Sequence, residues 1–177
     1  MKKLVSIVLI LALVFCFASC GSDTKEKAED VTVKGAEQTI GNFTVFVPEG
    51  YTATDGNITG SDKNDPDPNS CYIQPDPPSM YDYYTILILS EDDALGNIEM
   101  TKAANSSSES VKDLKEIEYK IGDVTWKGIT YLYATALNGE VPCGAYYATI
   151  GDTVYYAMIN GHAIDSAEVA AVLGSLK

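Results

Sequence analysis

The residues in this chain best suited to chemistry are carboxylates, and the densest group lies between residues 61 and 84, SDKNDPDPNSCYIQPDPPSMYDYY. It holds Asp62, Asn64, Asp65, Asp67, Asn69, Asp76 and Asp82. Asp65, Asp67 and Asn69 alternate as oxygen ligands do at the start of a calcium loop, where a curled backbone brings hard donors around one ion. The pattern then departs from that of a calcium loop. Ser70 stands where the sharp turn needs glycine, Asp76 replaces a bidentate glutamate, and Pro66 and Pro68 stiffen the bend. The alternative is a solvated loop whose Asp and Pro residues punctuate turns. These three residues are the calcium candidate; otherwise no metal and no cofactor is expected.

The nucleophiles and bases are few. Cys71 and Cys143 form an even pair that allows a disulfide in an exported protein. They read equally as two unpaired, buried thiols, since free cysteine packs as a small hydrophobe. A zinc site shared with His162, the only histidine, lacks close ligand spacing and a full ligand set. His162 and Asp165 have no serine elbow of the G-x-S-x-G type near them, and a lone histidine in a Gly-His turn reads as solvent-facing. Glu91, Asp92 and Asp93 are adjacent carboxylates, but they fall where a helix N-terminus favours negative charge. No phosphate-binding glycine loop or metalloprotease motif is present. The expectation is therefore a protein that is not an enzyme, with an acidic cell-envelope hydrolase as the alternative.

Aromatic residues offer a different chemistry. There are 12 tyrosines against 4 phenylalanines, more hydroxyls than a wholly buried aromatic core needs. Tyr72, Tyr81, Tyr83 and Tyr84 close the acidic stretch. Tyrosine supplies rigid, amphipathic contact area at interfaces, so these four, with Trp126 on the neighbouring sheet, are the candidate partner contacts. Tyrosines on a sheet face with their hydroxyls at the rim are the alternative.

Charge narrows the partner. The formal net charge of the 177 residues is −13, and arginine is absent. Arginine forks are the usual readers of phosphate and guanine edges, and an acidic surface is repelled by nucleic acid and by anionic head groups. Nucleic acid is excluded on this ground; a neutral or cationic protein or small ligand is expected.

The elements that must position these residues begin after a leader. Lys2 and Lys3 precede an apolar run, Leu4 to Phe17, broken only by Ser6. It is shorter than the roughly 20 residues a membrane-spanning helix needs and has the flanks of a secretory signal. The stretch FASCGS, with small Ala18 and Ser19 before Cys20, resembles the lipobox of bacterial lipoproteins. That resemblance implies a signal peptide over 1–19, cleavage before Cys20 and a diacylglycerol on its thiol, leaving the protein lipid-anchored on the extracytoplasmic face of the cell membrane. An ordinary secretory signal cut near Ser19, leaving the cysteine unmodified, is the alternative. Residues 20–38 then read as the anchor cysteine and a flexible tether, too polar to fold alone, and 39–177 as one globular domain.

Within that domain FTVFVP reads as a strand ended by Pro48 and a Glu49-Gly50 turn, and YYTILILS as another. Residues 116–160 read as an antiparallel meander rich in tyrosine and β-branched residues, with turns at Gly122-Asp123, Asn138-Gly139 and Gly151-Asp152. Tyr146, Ala148 and Ile150 share one face while Ala145, Tyr147 and Thr149 share the other. Apolar atoms on both predict a sheet covered on both sides. A helix is expected to start at Asp92 or Asp93. A second is expected near the C-terminus, capped by Asp165 with Glu168 three residues on and burying Val169, Val172, Leu173 and Leu176.

The fold class is therefore α+β, an antiparallel meander flanked by helices. FTVFVPEGY, TILIL, a helix, WKGITYLYA, YYATIGDTVYYAMI and the closing GSLK, in that order over residues 40–177, resemble the PsbP-like α/β/α sandwich. The resemblance implies docking or accessory roles without a shared catalytic centre, and carries no functional residue over. Function is in any case argued from sites, not folds.

Overall fold

The computed structural model describes residues 32–55 and 67–177. Cys20, its leader and most of the tether lie outside them, as does Asp65. The elements are β1 (Gly35–Ile40), β2 (Phe43–Pro48), β3 (Tyr51–Thr54), β4 (Ser70–Pro75), β5 (Tyr83–Leu89), α1 (Glu91–Ser106), β6 (Val111–Ile121), β7 (Val124–Thr135), β8 (Gly139–Ile150), β9 (Thr153–Asn160) and α2 (Ala167–Gly174). Among the described residues no helix is long and apolar enough to cross a membrane.

Seven strands form one sheet in the order β3-β4-β5-β9-β8-β7-β6, every neighbouring pair antiparallel. The last four are the expected meander. Gly122 and Gly151 take positive φ at two-residue turns (φ 59° and 61°). The third turn differs from expectation. β7 and β8 close with Thr135 opposite Gly139, so Ala136, Leu137 and Asn138 form a three-residue loop. The Thr135 hydroxyl accepts from the Asn138 N–H at 2.8 Å and fixes that loop.

Alternation places a separate apolar layer on each face. One layer joins Cys71, Ile73, Tyr84, Ile86, Trp126, Tyr146 and Ile159 to the β1–β2 hairpin through Phe43, Val45 and Val47, and to α2 through Val169, Val172, Leu173 and Leu176. The other joins Ile129, Tyr131, Cys143, Ala145 and Tyr156 to α1 through Ala94 and Ile98. The chain is thus an α+β layered protein with its sheet in the middle, and the expected stripe of α2 is buried throughout.

Four expectations need correction. β1 begins at Gly35, inside the segment read as tether, because the hairpin pairs Gly35 with Pro48 through Ile40 with Phe43. β4 falls in the stretch read as an acidic loop, since Ser70, Cys71 and Ile73 are buried between acidic neighbours that mask the alternation. α1 starts at Glu91 with Ser90 as its cap, the Ser90 hydroxyl accepting from the Asp93 N–H at 3.2 Å. α2 is capped by Ser166, whose hydroxyl accepts from the Val169 N–H at 3.2 Å, while Asp165 stays exposed one residue earlier.

Candidate functional site

The densest polar cluster forms at one corner, where β3, β5, β9 and α2 meet. Gly161 makes the corner possible. It follows β9 with φ 94°, and its N–H donates to Pro142 O at 2.9 Å. A Cβ there would lie 2.8 Å from Tyr81 O, so only glycine lets β9 turn so close to the loop before β5. The turn carries His162 back over the sheet, where its ring stacks on Tyr84 with centroids 5.2 Å apart and 17° between planes. Asp82 comes from that loop, fixed by a bridge between Ser79 and Asp82 and by the Tyr81 N–H donating to Ser79 Oγ. Glu168 projects from the first turn of α2, and Tyr51 opens β3.

The His162 imidazole therefore sits between two carboxylates and two phenols. Nε2 lies 2.8 Å from Asp82 Oδ1, 3.5 Å from Glu168 Oε1 and 3.2 Å from Tyr51 OH. Tyr51 OH also donates to Asp82, at 2.8 and 2.9 Å from its two oxygens. Tyr84 OH donates to Glu168 Oε1 at 3.0 Å. Because a carboxylate only accepts, the short Asp82 contact assigns the proton to Nε2. Burial first, and then the neighbouring carboxylates, push both phenols above the ordinary tyrosine range, so they remain donors. The side chains of His162, Asp82 and Glu168 are only 17%, 33% and 27% exposed, which strengthens each contact relative to water.

Chemically, the carboxylates, the phenols and the Nε2–H bond one another. The Nε2–H donates to Asp82, which leaves Nδ1 as the unprotonated ring nitrogen. Among the described residues the only hydroxyls bonded to this group are the two phenols. A base must reach the proton of a nucleophile to activate it, and both of these phenols already donate to carboxylates. The cluster joins three segments far apart in sequence.

Beside it runs a surface groove of about 360 Å³ between the 76–82 loop and the β7–β8 loop, lined by Ser79, Tyr81, Asp82, Asn138, Glu140 and Gly161 among others. Met80 and Leu137, next in sequence to these lining residues, are 81% and 87% exposed. Each is a large apolar side chain left in solvent beside a residue that lines the groove.

The residues singled out from sequence are distributed differently. Tyr72, Tyr81, Tyr83 and Tyr84 do not form one surface. Tyr84 is wholly buried on the α2 side, whereas Tyr72 and Tyr83 pair across β4 and β5 on the α1 side with rings 5.5 Å apart. Strand alternation forces that division of Tyr83 from Tyr84. Tyr81 is half-buried and lines the groove, and Trp126 is fully buried. Of the two cysteine readings, free thiols are what the fold holds. Cys71 belongs to the α2-side layer and Cys143 to the α1-side layer, so the sheet separates them. Burial pushes the Cys71 thiol up to about 12 and the Cys143 thiol up to about 11.

His162 is not a solvent-facing loop residue, and its carboxylate partners are Asp82 and Glu168 rather than Asp165. The sequence signals for this were slight: the one histidine follows a glycine at a strand end, and Asp82 stands among tyrosines. Asp67 and Asn69 spend their side chains on local structure. Asp67 Oδ1 accepts from the Asn69 N–H at 2.9 Å, and Asn69 Oδ1 accepts from Asn42 Nδ2 at 2.8 Å. Glu91, Asp92 and Asp93 occupy the exposed first turn of α1, with Asp93 accepting from Ser90 Oγ at 2.6 Å.

No protein-family model matches the chain, and no curated protein does. Among solved structures it is similar to the solution structure of cyanobacterial PsbP (CyanoP) from Synechocystis sp. PCC 6803, with 11% identity and a TM-score of 0.45 over 90% of this chain and 97% of that one.

Proposed function

We propose that this chain is a lipid-anchored, extracytoplasmic binding or accessory module, which acts by contact rather than turnover. The observation that carries this reading is the bonded corner around His162. The two carboxylates, the two phenols and the Nε2–H of His162 are bonded to one another, and the set holds the Ser79–Asp82 loop in place beside an open groove. The thiols, the remaining candidate nucleophiles, are buried and held in the unreactive protonated form. The resemblance of FASCGS to a lipobox supplies the anchor, and the sequence's resemblance to the PsbP-like sandwich implies a docking or accessory role. The contact surface is then the corner of Met80, Tyr81 and Leu137 in place of the row of four tyrosines. The hydrolase alternative loses support because Glu91, Asp92 and Asp93 are employed in starting a helix.

A photocrosslinking amino acid at Met80, in the full chain expressed in a bacterial envelope, tests this. The expected result is a discrete crosslinked species that disappears when Leu137 is changed to aspartate or Cys20 to alanine. Crosslinking that is equally strong from the exposed position Asp152, or unaffected by both substitutions, would overturn the reading.

A further inference from the structure

A second groove lies on the other face of the sheet, and it shares no residue with the His162 corner or the groove beside it. α1 packs over Ile129 and Ala145 and reaches the edge strand β6 through Lys102 and Glu116, and a hollow remains between the helix and β6. Two hollows of about 350 and 380 Å³ lie side by side, with Lys127 and Tyr147 lining both. The apolar part is built from Leu95, 39% exposed, with Ile98 and the half-buried Tyr147. Around it stand Glu91, Glu99, Glu116, Glu118 and Asp123. Two lysines answer those five acids. Lys102 pairs with Glu99 at 3.9 Å and closely with Glu116, and Lys127 pairs with Glu118 at 3.5 Å. The surplus is negative, in a chain already of net charge −13.

We propose that this groove binds an extended, lysine- or arginine-bearing peptide segment of a protein partner, with apolar side chains set between the cations. The groove's apolar side chains need matching apolar ones, and its acidic walls select against anionic segments. Glu116 and Glu118 stand two apart on one face of β6, so they meet alternate side chains of a strand laid along them. Unlike-charge complementarity also speeds encounter and rejects wrong partners. Lys102 and Lys127 are exposed and their ion pairs individually weak, so an incoming cation can replace them without unfolding anything.

The test uses the full chain in phosphatidylcholine nanodiscs, with empty discs as blank, and a fluorescein-labelled octapeptide alternating lysine and leucine. Saturable binding above the blank is expected, weakened about tenfold or more by Glu99→Lys with Glu118→Lys and also by Leu95→Ser, with the melting temperature held. An octapeptide alternating glutamate and leucine should not bind, and one alternating lysine and glycine should bind more weakly. Equal binding of the glutamate peptide would overturn the proposal, because apolar contact alone would then suffice. Equal weakening by the remote pair Glu37→Lys and Glu49→Lys, on the hairpin side of the sheet, would also overturn it, because the attraction would then be diffuse. Absence of saturable binding of the lysine–leucine peptide would do so outright.

Discussion

His162 and Asp82 are separated by 80 positions in sequence, yet Nε2 of one lies 2.8 Å from Oδ1 of the other. This contact ties the end of the sheet to the loop that carries Met80 and Tyr81. Its energetic worth depends on company: Tyr51 donates to the same carboxylate, and Glu168 faces the same ring nitrogen.

Removing one partner should therefore cost more than the pair is worth. His162→Ala and Asp82→Ala are each expected to destabilise the fold by about 1–3 kcal/mol, since each leaves a partly buried polar group unmatched. The double variant should cost less than their sum, by a coupling of about 0.5 kcal/mol or more. Urea denaturation of the four proteins measures it; strict additivity would mean that the contact contributes nothing.

Tyr84 and Tyr81 should part company under substitution. Tyr84→Ala empties a fully buried site and removes the donor to Glu168, so a loss of about 3–5 kcal/mol is expected. Tyr84→Phe keeps the packing and should cost about 1.5–3 kcal/mol, the range for hydrogen bonds to charged groups. Tyr81→Ala should leave stability nearly unchanged and act on partner capture instead. Thermal melts with crosslinking yield read both effects.

The buried thiols fix a pH dependence. The Cys71 thiol, ordinarily near 9, is raised to about 12 by burial, with Asp55 adding to it, and Cys143 is raised to about 11. A raised folded pKa means that the native state holds the proton more tightly than the unfolded chain. The contribution is therefore fully present below pH 9 and lost as pH climbs through 9 towards 12. Tyr51 and Tyr84, raised in the same direction from 10, extend the loss. The denaturation midpoint should show no loss from these groups up to about pH 9 and fall steadily above it. In the native state at pH 8, iodoacetamide should label neither Cys71 nor Cys143, and both should label in denaturant.

Much of the layered fold was legible because period-two patterns and turn glycines are local signals. Phe43, Val45 and Val47, the two faces of β8 and the stripe of α2 all follow from residue order alone. β4 was hidden because its buried Cys71 and Ile73 are embedded in Asp- and Pro-rich sequence, where turn chemistry outweighs a short alternation. The division of Tyr83 from Tyr84 was available from strand alternation, but a row of tyrosines reads as one surface until the strand is fixed on both sides. The His162 cluster could not be read, because its four partners come from three separate segments and no spacing rule links positions 51, 82, 84 and 168. Only the sheet order, which sets β5 beside β9, brings them together.

The central claim is a contact module held at a membrane through Cys20, and its most direct test is the mass of the N-terminal peptide. The full chain should be expressed in a bacterial host, extracted from the membrane fraction and digested. The account predicts a peptide that begins at Cys20 and carries a diacylglycerol on its sulfur, with the Cys20→Ala protein lacking that species and lost from the salt-washed membrane fraction. A peptide beginning at an unmodified Cys20, or a Cys20→Ala protein that stays with the washed membranes, would contradict it.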